Sequence, residues 1–139
     1  MISKLLTAWC LLALTVTIHA AGLSALFERM SSRSPDTRFW AVTRLLVWVA
    51  WWLILLHLAE IAVWALFYWW QKCLPDAESS FYFSGVTYTT VGYGDLLLPH
   101  EWRLLGPVEG LTGILMCGLS TGLIFAVVVK FFNARRNEP

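Results

Sequence analysis

Three apolar runs dominate the chain, at about Leu5 to Phe27, Phe39 to Trp70 and Leu104 to Phe132. Each is long enough to cross about 30 Å of hydrocarbon, which takes roughly 20 residues. In lipid the backbone must satisfy its own hydrogen bonds, so runs of this kind fold as helices. Between the second and third lies a shorter block, about Ala77 to Thr89, that cannot span. It leads directly into Thr89-Thr90-Val91-Gly92-Tyr93-Gly94-Asp95. Irregular backbone at membrane depth survives only where protein buries it or where it lines water. Helix, half-length helix, glycine-rich segment, helix therefore predicts a re-entrant loop. Composition agrees: 58% of residues are hydrophobic and 14% charged, against about a quarter charged in soluble domains.

Several function classes fall away. A net charge of +1 argues neither for nor against nucleic acid, and no basic stripe interleaved with aromatics suggests it. Cys10, Cys73 and Cys117 lack metal-ligand spacing. Histidines, serines and carboxylates are scattered, with no nucleophile motif and no phosphate loop, so no enzyme is expected. One membrane domain is all that 139 residues hold.

Charge sets the expected orientation. Arg29, Arg33, Arg38 and Arg44 cluster between the first and second runs, and Lys130, Arg135 and Arg136 follow the third. The glycine-rich side carries only Lys72 and Arg103 against Asp76, Glu78, Asp95 and Glu101. By the positive-inside rule the arginine loop and C-terminus are cytoplasmic, and the glycine-rich mouth and N-terminus lie outside. Lys4, the apolar stretch and Ala20-Ala21 also fit a signal peptide, but the charges favour a retained helix. Trp40 at one end of the second run, and Trp64, Tyr68, Trp69 and Trp70 at the other, are expected to form aromatic belts; Trp48, Trp51 and Trp52 lie deeper. All read most simply as lipid-facing anchors.

His57 and Glu60 stand three apart on one helical face at a depth where ionisable groups normally face protein or water. Two readings stay open, a protonation sensor or a buried pair satisfied by neighbouring Ser, Thr or backbone. Glu109 raises the same question, either bracing the short helix from behind or capping its own helix beside Pro107. In the third run Gly113, Gly118 and Gly122 recur, and Gly118-Leu-Ser-Thr-Gly122 is a small-xxx-small pattern. Cys117, Ser120 and Thr121 are candidates to line a wet cavity.

Gly92 and Gly94 tolerate backbone angles closed to other residues, so successive carbonyls can be turned to one side. A row of carbonyl oxygens, with the Thr90 hydroxyl below, suits a desolvated monovalent cation. From Thr89 to Asp95 the segment resembles the selectivity filter of the tetrameric potassium-channel superfamily, whose Thr-Val-Gly-Tyr-Gly carbonyls replace the hydration shell of K+. The resemblance covers about Phe39 to Phe132 and leaves the first helix outside.

The resemblance implies an all-α membrane protein of three transmembrane helices with a re-entrant pore helix, a filter strand and a homotetrameric pore. Residues 1–38 would be the first helix and its loop. Residues 39–132 would be the pore domain, divided into outer helix 39–70, pore helix 77–89, filter 90–94 and inner helix 104–132; 133–139 would be a short tail. Thr90, Val91, Gly92, Tyr93 and Gly94 would coordinate K+, the permeating ion, with Thr89, Asp95, Tyr82, Phe83 and Val86 as supports. Tyr82 and Phe83 stand where many family members have two tryptophans; Tyr82 still donates toward Asp95, while Phe83 has no donor for Tyr93. Val86 stands where some bacterial members place a carboxylate. Gly118 would be the inner-helix hinge, with close helix packing equally open. No arginine repeat marks a voltage sensor, and the seven residues after Phe132 are too few for a ligand-binding domain. Gating is therefore expected from the filter, membrane, pH or an unidentified regulatory subunit. Cys73 would either pair across subunits or stay a free thiol. The expected function is passive K+ conduction across the cell membrane, with a weakly selective cation channel or a non-conducting subunit of a larger channel as alternatives.

Overall fold

The computed structural model describes residues 2–31 and 38–136. Arg33, one of the charges counted in the arginine loop, and the side chain of Arg135 lie outside the described residues, as does the tail after 136. Four helices occur in order: α1 (Ile2–Ser31), α2 (Phe39–Trp70), α3 (Ala77–Tyr88) and α4 (Leu105–Arg136). Three of them, α1, α2 and α4, are long and apolar enough to cross a membrane. At 12 residues α3 reaches about 18 Å at 1.5 Å per residue, too short to cross.

The short helix has clear punctuation. Asp76 caps its start, its carboxylate accepting from the Ser79 amide at 2.7 Å, and Glu78 places a negative charge in the first turn. At the other end the Thr89 hydroxyl turns back to the Gly85 carbonyl at 2.7 Å. Thr90, at φ 63°, takes the left-handed conformation that stops a helix. Beyond Thr90 the expected strand does not form. Residues 91–93 carry no regular structure, and no strand occurs among the described residues. A chain that alternates the sign of φ cannot offer the edge a ladder needs.

The helices bundle around polar as well as apolar contacts. In α1 the buried positions Ala8, Leu11, Thr15, His19 and Leu26 recur at steps of three, four and seven, one face of a helix. At one end Ala8 and Leu11 meet Trp64, Phe67, Tyr68, Phe83, Leu98 and Leu105. At the other, Leu26 packs on Val49 and Leu53, with Trp48, Trp52 and Leu123 around them. A third cluster joins Ile61, Tyr88 and Met116 at the C-terminal end of α3. Lys4 pairs with Glu101 at 2.7 Å and lies 4.1 Å from the Trp102 ring centre, so the start of α1 sits beside the loop after the glycine-rich segment.

The expected aromatic belt forms only in part. Trp40, Trp69 and Trp70 are exposed, but Trp64 and Tyr68 are fully buried. They face the bundle because α1 and α3 cover that side of α2. Tyr68 finds a polar partner there; the Trp64 indole N–H has none among the described residues.

Candidate functional site

All seven residues from Thr89 to Asp95 are exposed, and the chain covers none of them on the open side. Positive φ recurs at every second position, 63° at Thr90, 52° at Gly92 and 77° at Gly94. For the two glycines this conformation costs little; Thr90 is an uncommon occupant. The segment is tied to α3 by two amides, Thr90 to the Thr87 carbonyl and Gly92 to the Val86 carbonyl, both at 3.0 Å. Val86 thus supports the segment with its backbone, its side chain half-buried. The Tyr82 hydroxyl donates to Asp95 at 2.8 Å, tethering the far end. That hydrogen bond holds the Tyr82 hydroxyl above its ordinary pKa range. Phe83 is buried against Tyr68, and the Tyr93 ring projects outward, 71% exposed.

Behind the segment Glu109 joins three helices. Its carboxyl accepts from the Tyr68 hydroxyl of α2 at 2.7 Å and lies 2.5 Å from Ser84 Oγ of α3. Ser84 Oγ is also 2.9 Å from the Ile61 carbonyl. A serine hydroxyl has one hydrogen and here faces two oxygens. The contacts are all satisfied when Glu109 carries the proton, donating to Ser84 while Ser84 donates to Ile61. No ion pair involving Glu109 occurs among the described residues, which fits a neutral acid at this depth.

His57 and Glu60 lie within a larger cluster. His19 Nδ1 is 2.7 Å from Glu60 Oε1, and the Tyr88 hydroxyl donates to Glu60 Oε2. His57 Nδ1 lies 2.9 Å from the Tyr88 hydroxyl and 3.7 Å from Glu60. Ser120 closes the group, 3.1 Å from His57 Nε2 and 3.4 Å from His19 Nε2. All four helices contribute. His19, Glu60 and Ser120 are buried and His57 is 19% exposed.

The glycines of α4 differ among themselves. A methyl at Gly113 would fall 1.9 Å from the Tyr88 carbonyl oxygen, so this glycine lets α4 press against the end of α3. At Gly118 and Gly122 an added carbon meets nothing. Cys117 and Thr121 are exposed, whereas Ser120 turns inward to the histidines and is not on the open surface where a cavity-lining role was expected. Cys73 is buried in the core as a free thiol, its pKa pushed up by burial, and offers no surface for pairing across subunits.

A protein-family model described as Ion channel (Ion_trans_2), of a two-transmembrane potassium-channel-like type, matches residues 11–130. The chain belongs to this ion-channel family. No curated protein and no solved structure matches it. The family match begins at Leu11 and so takes in most of α1, which the resemblance had left outside. The channel's His19 carries no role that the sequence alone assigns, and Tyr88 reads there only as one of the aromatics of the short helix. His19 lies 38 and 41 positions from His57 and Glu60, and no local motif links them. A signal was present nonetheless, since an ionisable residue in the middle of an apolar run requires a partner at the same depth.

Proposed function

We propose that this ion channel selects K+ and conducts it passively, with four copies surrounding one path. Thr90, Val91, Gly92, Tyr93 and Gly94 supply the coordinating oxygens, and Thr89, Tyr82, Phe83, Val86 and Asp95 hold them. The observation that carries the reading is the alternation of positive φ at Thr90, Gly92 and Gly94 in a segment exposed along its whole length. Alternating the sign of φ is what lets consecutive peptide carbonyls face one way rather than opposite ways. One such row is a single wall; desolvating a cation requires oxygens on every side. Two further features favour a cation. The C-terminal end of α3 precedes the row and contributes about half a negative charge. Asp95 stands at the far end, held by Tyr82.

The charge asymmetry supports a cytoplasmic arginine loop and C-terminus with the filter mouth outside, in the cell membrane. The Lys4–Glu101 pair agrees with an N-terminus on the same side as that mouth. The test is flux in liposomes containing only this protein. Efflux that prefers K+ over Na+ and is blocked by Ba2+ is expected. Equal K+ and Na+ flux would instead establish a weakly selective cation pore.

A further inference from the structure

With both imidazoles neutral, the cluster around Glu60 has a proton count that does not close; one further proton closes it only as a buried His–Glu60 ion pair. Tyr88 donates to Glu60, so the Tyr88 oxygen accepts from His57 Nδ1–H; His19 donates its own Nδ1–H to Glu60. Both neutral imidazoles then turn a bare Nε2 toward Ser120, 3.1 and 3.4 Å away. Ser120 has one hydrogen and satisfies only one of them. In that neutral state one buried imidazole nitrogen faces Ser120 without a hydrogen to accept.

We propose that His19, His57 and Glu60 form a binding site for a divalent first-row transition cation, Zn2+ in its usual tetrahedral geometry. One ligand atom from each of the three lies within 4.8 Å of the others. Zn–ligand bonds of about 2.0–2.1 Å place neighbouring ligand atoms about 3.4 Å apart, so rotamer adjustments of about an ångström gather them. With the cation on the Nδ1 side, the hydrogen of each ring moves to Nε2. Ser120 Oγ, with two lone pairs, then accepts from both rings. The orphaned nitrogen disappears, and Ser120 becomes the outer partner that fixes both imidazoles, as metal-bound histidines require. Tyr88 Oη, in contact with both His57 and Glu60, is placed to take the fourth position. Two imidazoles and one carboxylate select Zn2+, Co2+ or Ni2+ over Mg2+ and Ca2+, which need more oxygen ligands. The negative end of α3, which terminates at Tyr88, lowers the cost of the ion's charge at this depth. The part-exposed His57 edge gives it a way in.

The consequence for the channel lies in connectivity. Tyr88 immediately precedes the Thr89–Asp95 segment, and its carbonyl is the surface on which Gly113 rests. A cation that draws the Tyr88 hydroxyl from its present bonds acts two residues from the row of carbonyls. It also clamps α1, which supplies His19, to the other three helices.

The experiment uses the full chain in detergent, freed of metal with a chelator and titrated with Co2+ alone. A visible d–d band saturating at one Co2+ per chain is expected, abolished by His19→Ala and displaced by Zn2+. Ser120→Ala removes no ligand and is expected to weaken binding about 10- to 100-fold. His100→Ala, and a variant with all three cysteines changed to serine, are expected to leave the band unaltered. Zn2+ is also expected to raise the melting temperature of the unmutated chain, a readout that does not depend on any variant folding. Absence of a band with excess Co2+, or its survival in His19→Ala, overturns the site. These readouts are independent of K+ selectivity, so they distinguish failure of the site from failure of the filter.

Discussion

At Gly92 and Gly94 the backbone sits at φ 52° and 77°, and no atom lies within 4 Å of where a Cβ would stand. Space is therefore not what excludes a side chain; conformation is. An L-residue held there costs roughly 1–2 kcal/mol, and the chain relieves it by turning a carbonyl away from the row. Gly92→Ala and Gly94→Ala are expected to fold and assemble but to lose preference for K+ over Na+ in liposome flux. Retained selectivity in both variants would sink the filter assignment. Glu109 gives a second expectation of opposite kind. Because the proton count makes it a neutral acid between Tyr68 and Ser84, an amide replaces it well: the Gln carbonyl accepts from Tyr68 and its NH2 donates to Ser84. Glu109→Gln is expected within about 1 kcal/mol of the unmutated chain. Glu109→Ala strands the Tyr68 and Ser84 hydroxyls and opens a cavity, costing about 2–5 kcal/mol. Thermal melting in detergent separates the two, and a large loss in Glu109→Gln would show that the carboxylate is ionised.

The helices of this chain were legible because each has a local cause. Apolar runs of spanning length produce α1, α2 and α4, and α2 has the bounds that Phe39 and Trp70 set in the sequence. The Asp76 cap starts α3 and left-handed Thr90 stops it. Contacts between helices were not legible, since they depend on which face turns inward. Trp64 and Tyr68 read as interface anchors and are buried; Ser120 read as cavity lining and faces two histidines. His19 was visible as a polar residue in an apolar run, but only packing shows that it reaches Glu60. Gly113, Gly118 and Gly122 look equivalent in the sequence and differ in the fold. Gly113→Ala would drive a methyl into the Tyr88 carbonyl, and backbone cannot move aside as a side chain can. A loss of about 1–3 kcal/mol or more is expected, with impaired assembly on gel filtration. Gly118→Ala meets no described atom within 4 Å and gains about 0.8–1 kcal/mol of helix propensity. If α4 bends at Gly118, that variant is at least as stable as the unmutated chain but opens with altered probability in single-channel recordings. Unchanged gating would assign Gly118 to packing between copies.

Across the whole molecule, what one copy leaves uncovered argues for several. On α4, Leu111, Leu115, Gly118, Gly122, Phe125, Val129 and Phe132 are exposed or at most partly covered and are spaced by four, three, four, three, four and three. That is a heptad seam, and small residues in it allow close approach of a second helix in lipid. The same copy also exposes Phe81, Tyr82 and the whole Thr89–Asp95 segment, so that segment and the seam are both left uncovered. Lipid could coat the seam, but it cannot supply the oxygens that the proposed carbonyl row needs on its other sides. A tetramer is therefore expected on native mass spectrometry of the 15.8 kDa chain, and Gly122→Leu, at a position where an added Cβ meets no described atom within 4 Å, is expected to shift the population toward smaller species. The seam and the row stand or fall separately in this measurement. If Gly122→Leu leaves the tetramer intact, the seam faces the conduction path, and the variant then lowers conductance by narrowing it. If the unmutated chain is a monomer in a mild detergent and in lipid, a single row of carbonyls cannot surround an ion, and K+ selectivity fails with the tetramer.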